Sequence, residues 1–245
     1  MSAPIFLFTD FGAADIYVGQ VKAVLHANAP ASPVIDLLHA APPFRIEENA
    51  HLLAALALRL PAGAVTIAVV DPGVGSERGA LALEADGRSF VVPDNGLMSV
   101  IAARSRGTRV VPIDWMAAPE SVSFHGRDLF APAAARIARG ATELDRVASK
   151  PRLDVELGAD DLARIVYIDH YGNAMTGLRA AVIDTGCRIE VAGETLTHAR
   201  VFSAAPRGGL FWYENSLELV EIAANEAGAA ELLGLAVGAK VTVRA

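Results

Sequence analysis

The stretch Val65-Thr66-Ile67-Ala68-Val69-Val70-Asp71-Pro72-Gly73-Val74-Gly75-Ser76-Glu77-Arg78 decides the fold. Its first six residues form a continuous, largely β-branched run, as expected of a strand buried on both faces. The run ends in an acid and a glycine-rich turn. In an open α/β sheet, ligands gather beyond the carboxyl ends of the strands, so this turn marks a candidate site. Outward from it, the same grammar repeats. Ile5–Phe8, Val34–Leu38, Phe90–Val92 and Arg109–Ile113 read as strands. Between them, Asp15–Asn28 has apolar residues at helical spacing, Glu47–Leu60 is a helix stopped by Pro61, and Asp128–Arg139 is a helix stopped by Gly140. This alternation predicts an α/β N-terminal domain with a largely parallel sheet over residues 1–150.

After a boundary between residues 145 and 162, glycine-punctuated short strands follow: Arg164–Ile168, Arg188–Val191, Leu217–Ile222 and Lys240–Val243. They predict a smaller β-rich C-terminal domain over residues 158–245, a barrel or a sandwich.

Composition bounds the function. Of 245 residues, 53% are hydrophobic and 20% charged, which excludes a disordered chain. Mean hydropathy is +0.36, yet the leading apolar stretch, Leu52–Leu58, closes at Arg59. A spanning helix needs about 20 apolar residues, so no membrane role is expected. Met1–Asp10 has no basic region and meets an acid at once, unlike a secretory signal. The net charge of −7 and the lack of any Lys/Arg run argue against nucleic-acid binding. The single cysteine, Cys187, cannot form an internal disulfide, so a reducing cytoplasmic setting is expected. With no histidine beside it in sequence, Cys187 reads as a small hydrophobe rather than a nucleophile.

Three acidic turns share the predicted sheet edge: Thr9-Asp10-Phe11-Gly12, the Asp71–Arg78 loop, and Pro93-Asp94-Asn95-Gly96. Each alone reads as an ordinary turn; three together point to a site. Asp10 and Asp15 could accept hydrogen bonds from a vicinal diol, though Asp15 also suits a helix N-cap. The glycine loop lacks the Gly-Lys-Ser/Thr ending of a P-loop and the spacing of a dinucleotide fingerprint. His125, in Ser123-Phe124-His125-Gly126-Arg127-Asp128, precedes a helix; with Asp71 and Arg78 it could orient and deprotonate a water. In the second domain, Asp169-His170-Tyr171-Gly172-Asn173 is either a hairpin turn or an ammonium and heterocycle reader. His26, His39, His51 and His198 are scattered, and neither a metal site nor a cofactor is predicted.

In their order, these segments resemble one family across nearly the whole chain: the S-adenosyl-L-methionine hydroxide adenosyltransferases, homologous to the SAM-dependent fluorinase and chlorinase. The matching pieces are Thr9-Asp10-Phe11-Gly12 with Asp15-Ile16-Tyr17-Val18-Gly19 and Lys22, Asp71–Ser76 with Arg78, Pro93–Gly96, Phe124–Asp128, Asp169–Asn173, Asn215-Ser216 and Asn225. The resemblance implies a C-terminal β-barrel and a homotrimer whose active sites lie between the N-terminal domain of one subunit and the C-terminal domain of its neighbour. It implies attack of water or hydroxide on the 5′ carbon of S-adenosyl-L-methionine, giving adenosine and methionine, with Asp71, Arg78 and His125 as the water-handling set. The halogenases lack that set.

The resemblance also implies that Asp10 grips the ribose, that Asp169 and Ser216 hold the methionine end and that Asn173 reads adenine. Phe44 and Phe202 fall near ring-packing aromatics, and Asp15 and Asp94 complete the expected substrate-binding set. Two positions depart from the halogenases: Met175 replaces an aromatic residue, and Leu217 an arginine. A metal-dependent nucleoside hydrolase, which also opens with an Asp-rich turn after strand one, and a non-catalytic nucleoside-binding module are the competing readings.

Overall fold

The structure is a computed structural model that describes residues 2–114, 116, 119–140 and 147–245. The N-terminal edge of the expected domain boundary, residues 145 and 146, lies outside the described residues. The chain divides into two compact units: Met1–Leu53 with Leu60–Ala159, and Ala54–Arg59 with Asp160–Ala245. No helix among the described residues is long and apolar enough to cross a membrane.

The first unit holds a six-stranded sheet of order β2-β1-β3-β5-β4-β6. Its strands are β1 (Ile5–Thr9), β2 (Val34–Leu38), β3 (Val65–Val69), β4 (Ala80–Ala85), β5 (Arg88–Pro93) and β6 (Thr108–Pro112). Strands β2, β1, β3 and β5 are parallel neighbours, whereas β4 runs antiparallel to both β5 and β6. The sheet is therefore mixed and mostly parallel. β1 and β3 are buried at every position, as their unbroken apolar runs require.

Strand β4 is absent from the sequence reading. Its residues, Ala-Leu-Ala-Leu-Glu-Ala, favour helix, and pairing on both edges overrides that preference. The β4–β5 hairpin turns on Asp86 and Gly87, both at positive φ (47° and 74°), the mirror-image turn that Asp-Gly favours. That dipeptide was the available signal.

Helix α1 (Ile16–Asn28) buries Val18, Val21 and Leu25, a spacing of three and four that makes one apolar stripe. α2 (Ile46–Ala57) carries Glu47 and Glu48 in its first turn, where acids favour the helix dipole. It ends three residues earlier than Pro61 suggested. The short α3 (Ser99–Arg104) was not foreseen. Rather than one helix from Asp128, the chain forms a single π-helical turn over Gly126–Phe130 and then α4 (Ala131–Ala138). Ala131, Ala133, Ala134, Ala135 and Ala138 of α4 are all buried in the core with Ile5, Leu7, Ile67 and Leu25. Small side chains let this helix lie close to the sheet.

The second unit has a four-stranded antiparallel sheet of order β11-β12-β8-β7 and a three-stranded one of order β10-β9-β13. Its strands are β7 (Leu162–Ile168), β8 (Ala174–Arg179), β9 (Arg188–Val191), β10 (Glu194–Leu196), β11 (Leu210–Glu214), β12 (Leu219–Ala224) and β13 (Thr242–Arg244), with a short α5 (Ala229–Leu233). Both sheets contribute to one core around Trp212, Ile189, Val220 and Ile222.

Leu25 is fully buried between α1 and the sheet. Leu25→Ala removes its transfer energy and leaves a cavity, so it should cost about 2–5 kcal/mol. Thermal unfolding followed by circular dichroism should show a midpoint lowered by roughly 4–20 °C.

Candidate active site

The register of β1 and β3 builds the site in the first unit. Thr9 pairs with Val69, so the residues that follow, Asp10 and the Asp71 loop, leave the sheet side by side. A third loop, residues 121–126, closes against them. Gly75 has a φ of 82°, and a Cβ there would sit 2.7 Å from the Val122 carbonyl oxygen. At Gly126 a Cβ would meet the Phe11 ring at 2.9 Å. Both glycines are required because two backbones or a backbone and a ring approach this closely. Asp128 pins the third loop by accepting from the Ser121 amide at 2.8 Å while paired with Arg127.

These loops bring Asp71, Arg78 and His125 together. Arg78 grips Asp71 with two parallel hydrogen bonds, Nε to Oδ1 at 2.7 Å and Nη2 to Oδ2. The same Nη2 lies 3.1 Å from His125 Nδ1, and Arg78 lies over the Phe130 ring at 5.6 Å. A guanidinium has only donors, so Nδ1 must accept. This makes His125 a neutral imidazole with its proton on Nε2. Burial and the neighbouring Arg78 charge both push the imidazole below its ordinary 6.5. Within the set Asp71 holds Arg78, and Arg78 orients His125, with Nδ1 committed to that contact.

Beside this set is a small pocket of about 70 Å³, lined by Asp10, Phe11, Asp71, Phe124, His125 and four other residues. That is well below the roughly 300–1,000 Å³ of a pocket that takes a whole small molecule and leaves room for a few waters. Burial, together with the Asp71 charge, raises the Asp10 carboxyl to about 6.

The remaining predicted residues of this unit lie elsewhere. Asp15 is exposed, and its Oδ1 accepts from the Ile16 amide at 2.7 Å, in the N-cap role. Asp94 does not line the pocket: its carboxylate is buried against Lys150 Nζ at 2.6 Å and the Asp154 amide at 3.1 Å. Phe44 is 76% exposed and holds a φ of 64°, a strained conformation for a bulky residue.

In the second unit, Asp169, Asn173 and Phe202 line one cleft of about 630 Å³, with Tyr171 and Tyr213. Asp169 both shapes its turn and lines the cleft. Its Oδ1 accepts from the Tyr171 and Asn173 amides at 2.9 and 2.8 Å, and its Oδ2 from Asn173 Nδ2 at 3.0 Å. Asn173 Oδ1 is buried with no hydrogen-bond partner, a vacancy that suits a donor from a bound heterocycle. Phe202 packs edge-on against Phe211 and Tyr213, at 5.3 Å from each. Ser216 is not among the lining residues; it sits on the exposed turn between β11 and β12. Met175 stands on β8 between Tyr167 and Glu221. Sequence reasoning missed Tyr213 and Glu221. The run Leu-Phe-Trp-Tyr-Glu at 210–214 was the signal for the strand that carries Tyr213.

Comparison with known proteins places this geometry. Residues 5–148 match the family described as the SAM hydroxide adenosyltransferase N-terminal domain, and residues 163–242 its C-terminal domain. A Salinispora arenicola protein named (R)-S-adenosyl-L-methionine hydrolase is 39% identical, with 100% of this chain and 99% of that protein covered. A Thermus thermophilus protein of the same name is 38% identical, over 97% of this chain and 98% of its own. An Actinoplanes fluorinase is more distant, at 26% identity over 71% of this chain and 72% of its own. A Thermotoga maritima crystal structure, of an uncharacterized conserved protein, superposes with a TM-score of 0.88 at 28% identity, covering 98% of this chain and 100% of that one.

The His125 state is directly measurable. Two-dimensional NMR of labelled imidazoles should show the Nε2–H tautomer and a midpoint below 6.5. Because the folded form resists the proton, the unfolded chain takes it up first as pH falls. The His125 contribution to stability is therefore intact above about 6.5 and lost progressively below it. A midpoint above 6.5, or an Nδ1–H tautomer, contradicts the Arg78 contact.

Proposed function

Because the chain belongs to the SAM hydroxide adenosyltransferase family, we propose that it hydrolyses S-adenosyl-L-methionine to adenosine and L-methionine. The observation that carries this reading is the Asp71–Arg78–His125 set, two of whose members, Asp71 and His125, line a small pocket. The relatives named as hydrolases, similar over their full length, support it. No specific observation favours a metal-dependent nucleoside hydrolase or a binding module without catalysis.

The chemistry follows from the donors. The sulfonium leaves as neutral methionine thioether, so no acid is needed to expel it. What the reaction needs is an oxygen nucleophile held in line with the carbon–sulfur bond and shielded from bulk water. With Nδ1 engaged by Arg78, His125 offers Nε2–H as a donor, and Arg78 adds a fixed positive charge. Together they orient the oxygen nucleophile, with the Nε2–H donating to the oxygen on which negative charge would otherwise stand against the Asp10 and Asp71 carboxylates. Hydroxide attacks the 5′ carbon, its electron pair forms the new carbon–oxygen bond, and the carbon–sulfur pair leaves with methionine. The proton surrendered by the original water goes to solvent. Asp71 keeps Arg78 in place and offsets its charge.

Asp10 is assigned to the ribose hydroxyls, for which it must be ionised. Asp169 and Ser216 are assigned to the methionine end, Asn173 to adenine, and Phe44 and Phe202 to ring packing; Asp15 and Asp94 support their loops. The assembly we propose is a homotrimer in the cytoplasm, in which the C-terminal cleft of one subunit completes the N-terminal pocket of a neighbour. Exposed Ile16, Phe44 and Val122, at 71, 76 and 72%, are the apolar surface that supports it. A barrel reading of the second unit is supported by the shared core of its two sheets and by the bridges Arg164–Lys240 and His198–Trp212.

Incubation with S-adenosyl-L-methionine in ¹⁸O-water should yield adenosine labelled at its 5′ oxygen, plus methionine, and the reaction should persist in EDTA. Unlabelled adenosine, or free adenine, overturns the reading. His125→Ala should lower kcat by about 10²–10³-fold while leaving the Kd for the substrate within a few-fold, the cost of removing one preorganised donor. In the wild type, kcat/KM should fall as pH drops through about 6, where Asp10 takes up its proton. Asp10→Asn should leave only the part of that limb set by His125.

A further inference from the structure

Glu221 is a carboxylate buried to 1% exposure in the middle of β12, among Leu219, Val220, Ile222, Ala223 and Ala224. Nothing in the proposed reaction uses it. Such a charge is costly inside a protein unless hydrogen bonds satisfy it. Here both oxygens accept: Oε1 from the Tyr213 hydroxyl at 2.5 Å and Oε2 from Asn215 Nδ2 at 2.7 Å. Burial pushes the Glu221 carboxyl above the ordinary carboxylate range, and the two donated hydrogen bonds act the other way, in favour of the charged form.

Each partner leads to the cleft or to the turn beside it. Tyr213 stands directly opposite Glu221 on β11 and lines the cleft with Asp169 and the unpartnered Asn173 Oδ1. The Asp169 charge acts on both Tyr213 and Glu221. Asn215, held by Glu221, turns its own Oδ1 to the Leu217 and Leu219 amides at 2.9 and 3.0 Å. It thus shapes the β11–β12 turn that carries Ser216. Of the two acids that line the cleft, Glu226 is paired with Arg207 at 3.0 Å, whereas Asp169, with Glu221 behind Tyr213, has no lysine or arginine beside it among the lining residues; that acidic surface suits a cation, and S-adenosyl-L-methionine brings a sulfonium and an ammonium.

We propose that Glu221 is a positioning and specificity residue for the cationic amino-acid end of the substrate, acting through Tyr213 on the cleft and through Asn215 on the Ser216 turn. The inference deepens the function proposed above and rests on it. It also gives the Ser216 turn a means of holding its shape, through the Asn215 bonds to the Leu217 and Leu219 amides.

The test is isothermal titration of the full-length protein with S-adenosyl-L-methionine and, separately, with adenosine. Glu221→Gln keeps the shape and an acceptor for one partner but removes the charge. It should raise the Kd and KM for S-adenosyl-L-methionine about tenfold, change the Kd for adenosine less than twofold, and keep kcat within about threefold. Equal losses for both ligands, or none for either, overturn the proposal. Should Glu221→Gln not fold, Tyr213→Phe removes one hydrogen bond from the carboxylate and should weaken S-adenosyl-L-methionine about threefold, again sparing adenosine. Wild-type turnover is scored separately. A wild type that binds S-adenosyl-L-methionine without hydrolysing it refutes the hydrolase reading and leaves the Glu221 effect on binding measurable.

Discussion

The paired hydrogen bonds between Asp71 and Arg78 are the interaction on which the N-terminal site depends. Both side chains are nearly buried, at 4 and 10% exposure. A lone buried charge there would be expensive, and the bidentate geometry is what makes the pair tolerable. The pair does more than neutralise itself. It spends two of Arg78's donors on Asp71 and leaves the guanidinium plane fixed, with Nη2 also on His125. The imidazole tautomer follows from that contact, and with it the role His125 can play toward an oxygen nucleophile. The glycines at 75 and 126 and the Asp128–Ser121 contact exist to hold two loops close enough for this.

The C-terminal unit solves a different electrostatic problem by similar means. Its cleft displays Asp169, backed by buried Glu221. Both carboxylates are satisfied by amides and a phenol rather than by cations. Hydrogen bonds therefore shape this acidic surface without a cation of the protein's own against either carboxylate among the described contacts. The net charge of −7 left open how an acidic protein selects a cationic substrate; a small number of positioned acids is a sufficient physical basis, because interactions in a partly desolvated cleft are far stronger than on the surface.

Much of this was legible in the chain. The buried parallel strands announced themselves through unbroken β-branched runs, and α1 through its spacing of apolar residues. The acidic turns after β1 and β3 were placed at one sheet edge correctly, because in a parallel sheet the ends of neighbouring strands must coincide. Other features were not legible. Ala80–Ala85 has helical propensity and becomes a strand only between β5 and β6. Asp94 follows a strand just as Asp10 does, yet a segment some 55 residues later delivers Lys150 and takes its carboxylate away from the pocket. Glu221 gave no signal, since one acid in an apolar strand reads as an outward-facing residue until its partners on β11 are known.

By itself, then, the sequence determined the α/β class of the first unit, the β-rich class of the second, and the residue types gathered for chemistry. Those depend on periodicity and on order along the chain, which are local properties. The tertiary structure alone decided who bonds to whom: that Arg78 stands between Asp71 and His125, that Asp15 caps a helix, that Asp94 serves Lys150, and that Glu221 faces Tyr213. Hydrogen bonds and charge pairs form between residues brought together by folding, over separations that no sequence pattern records.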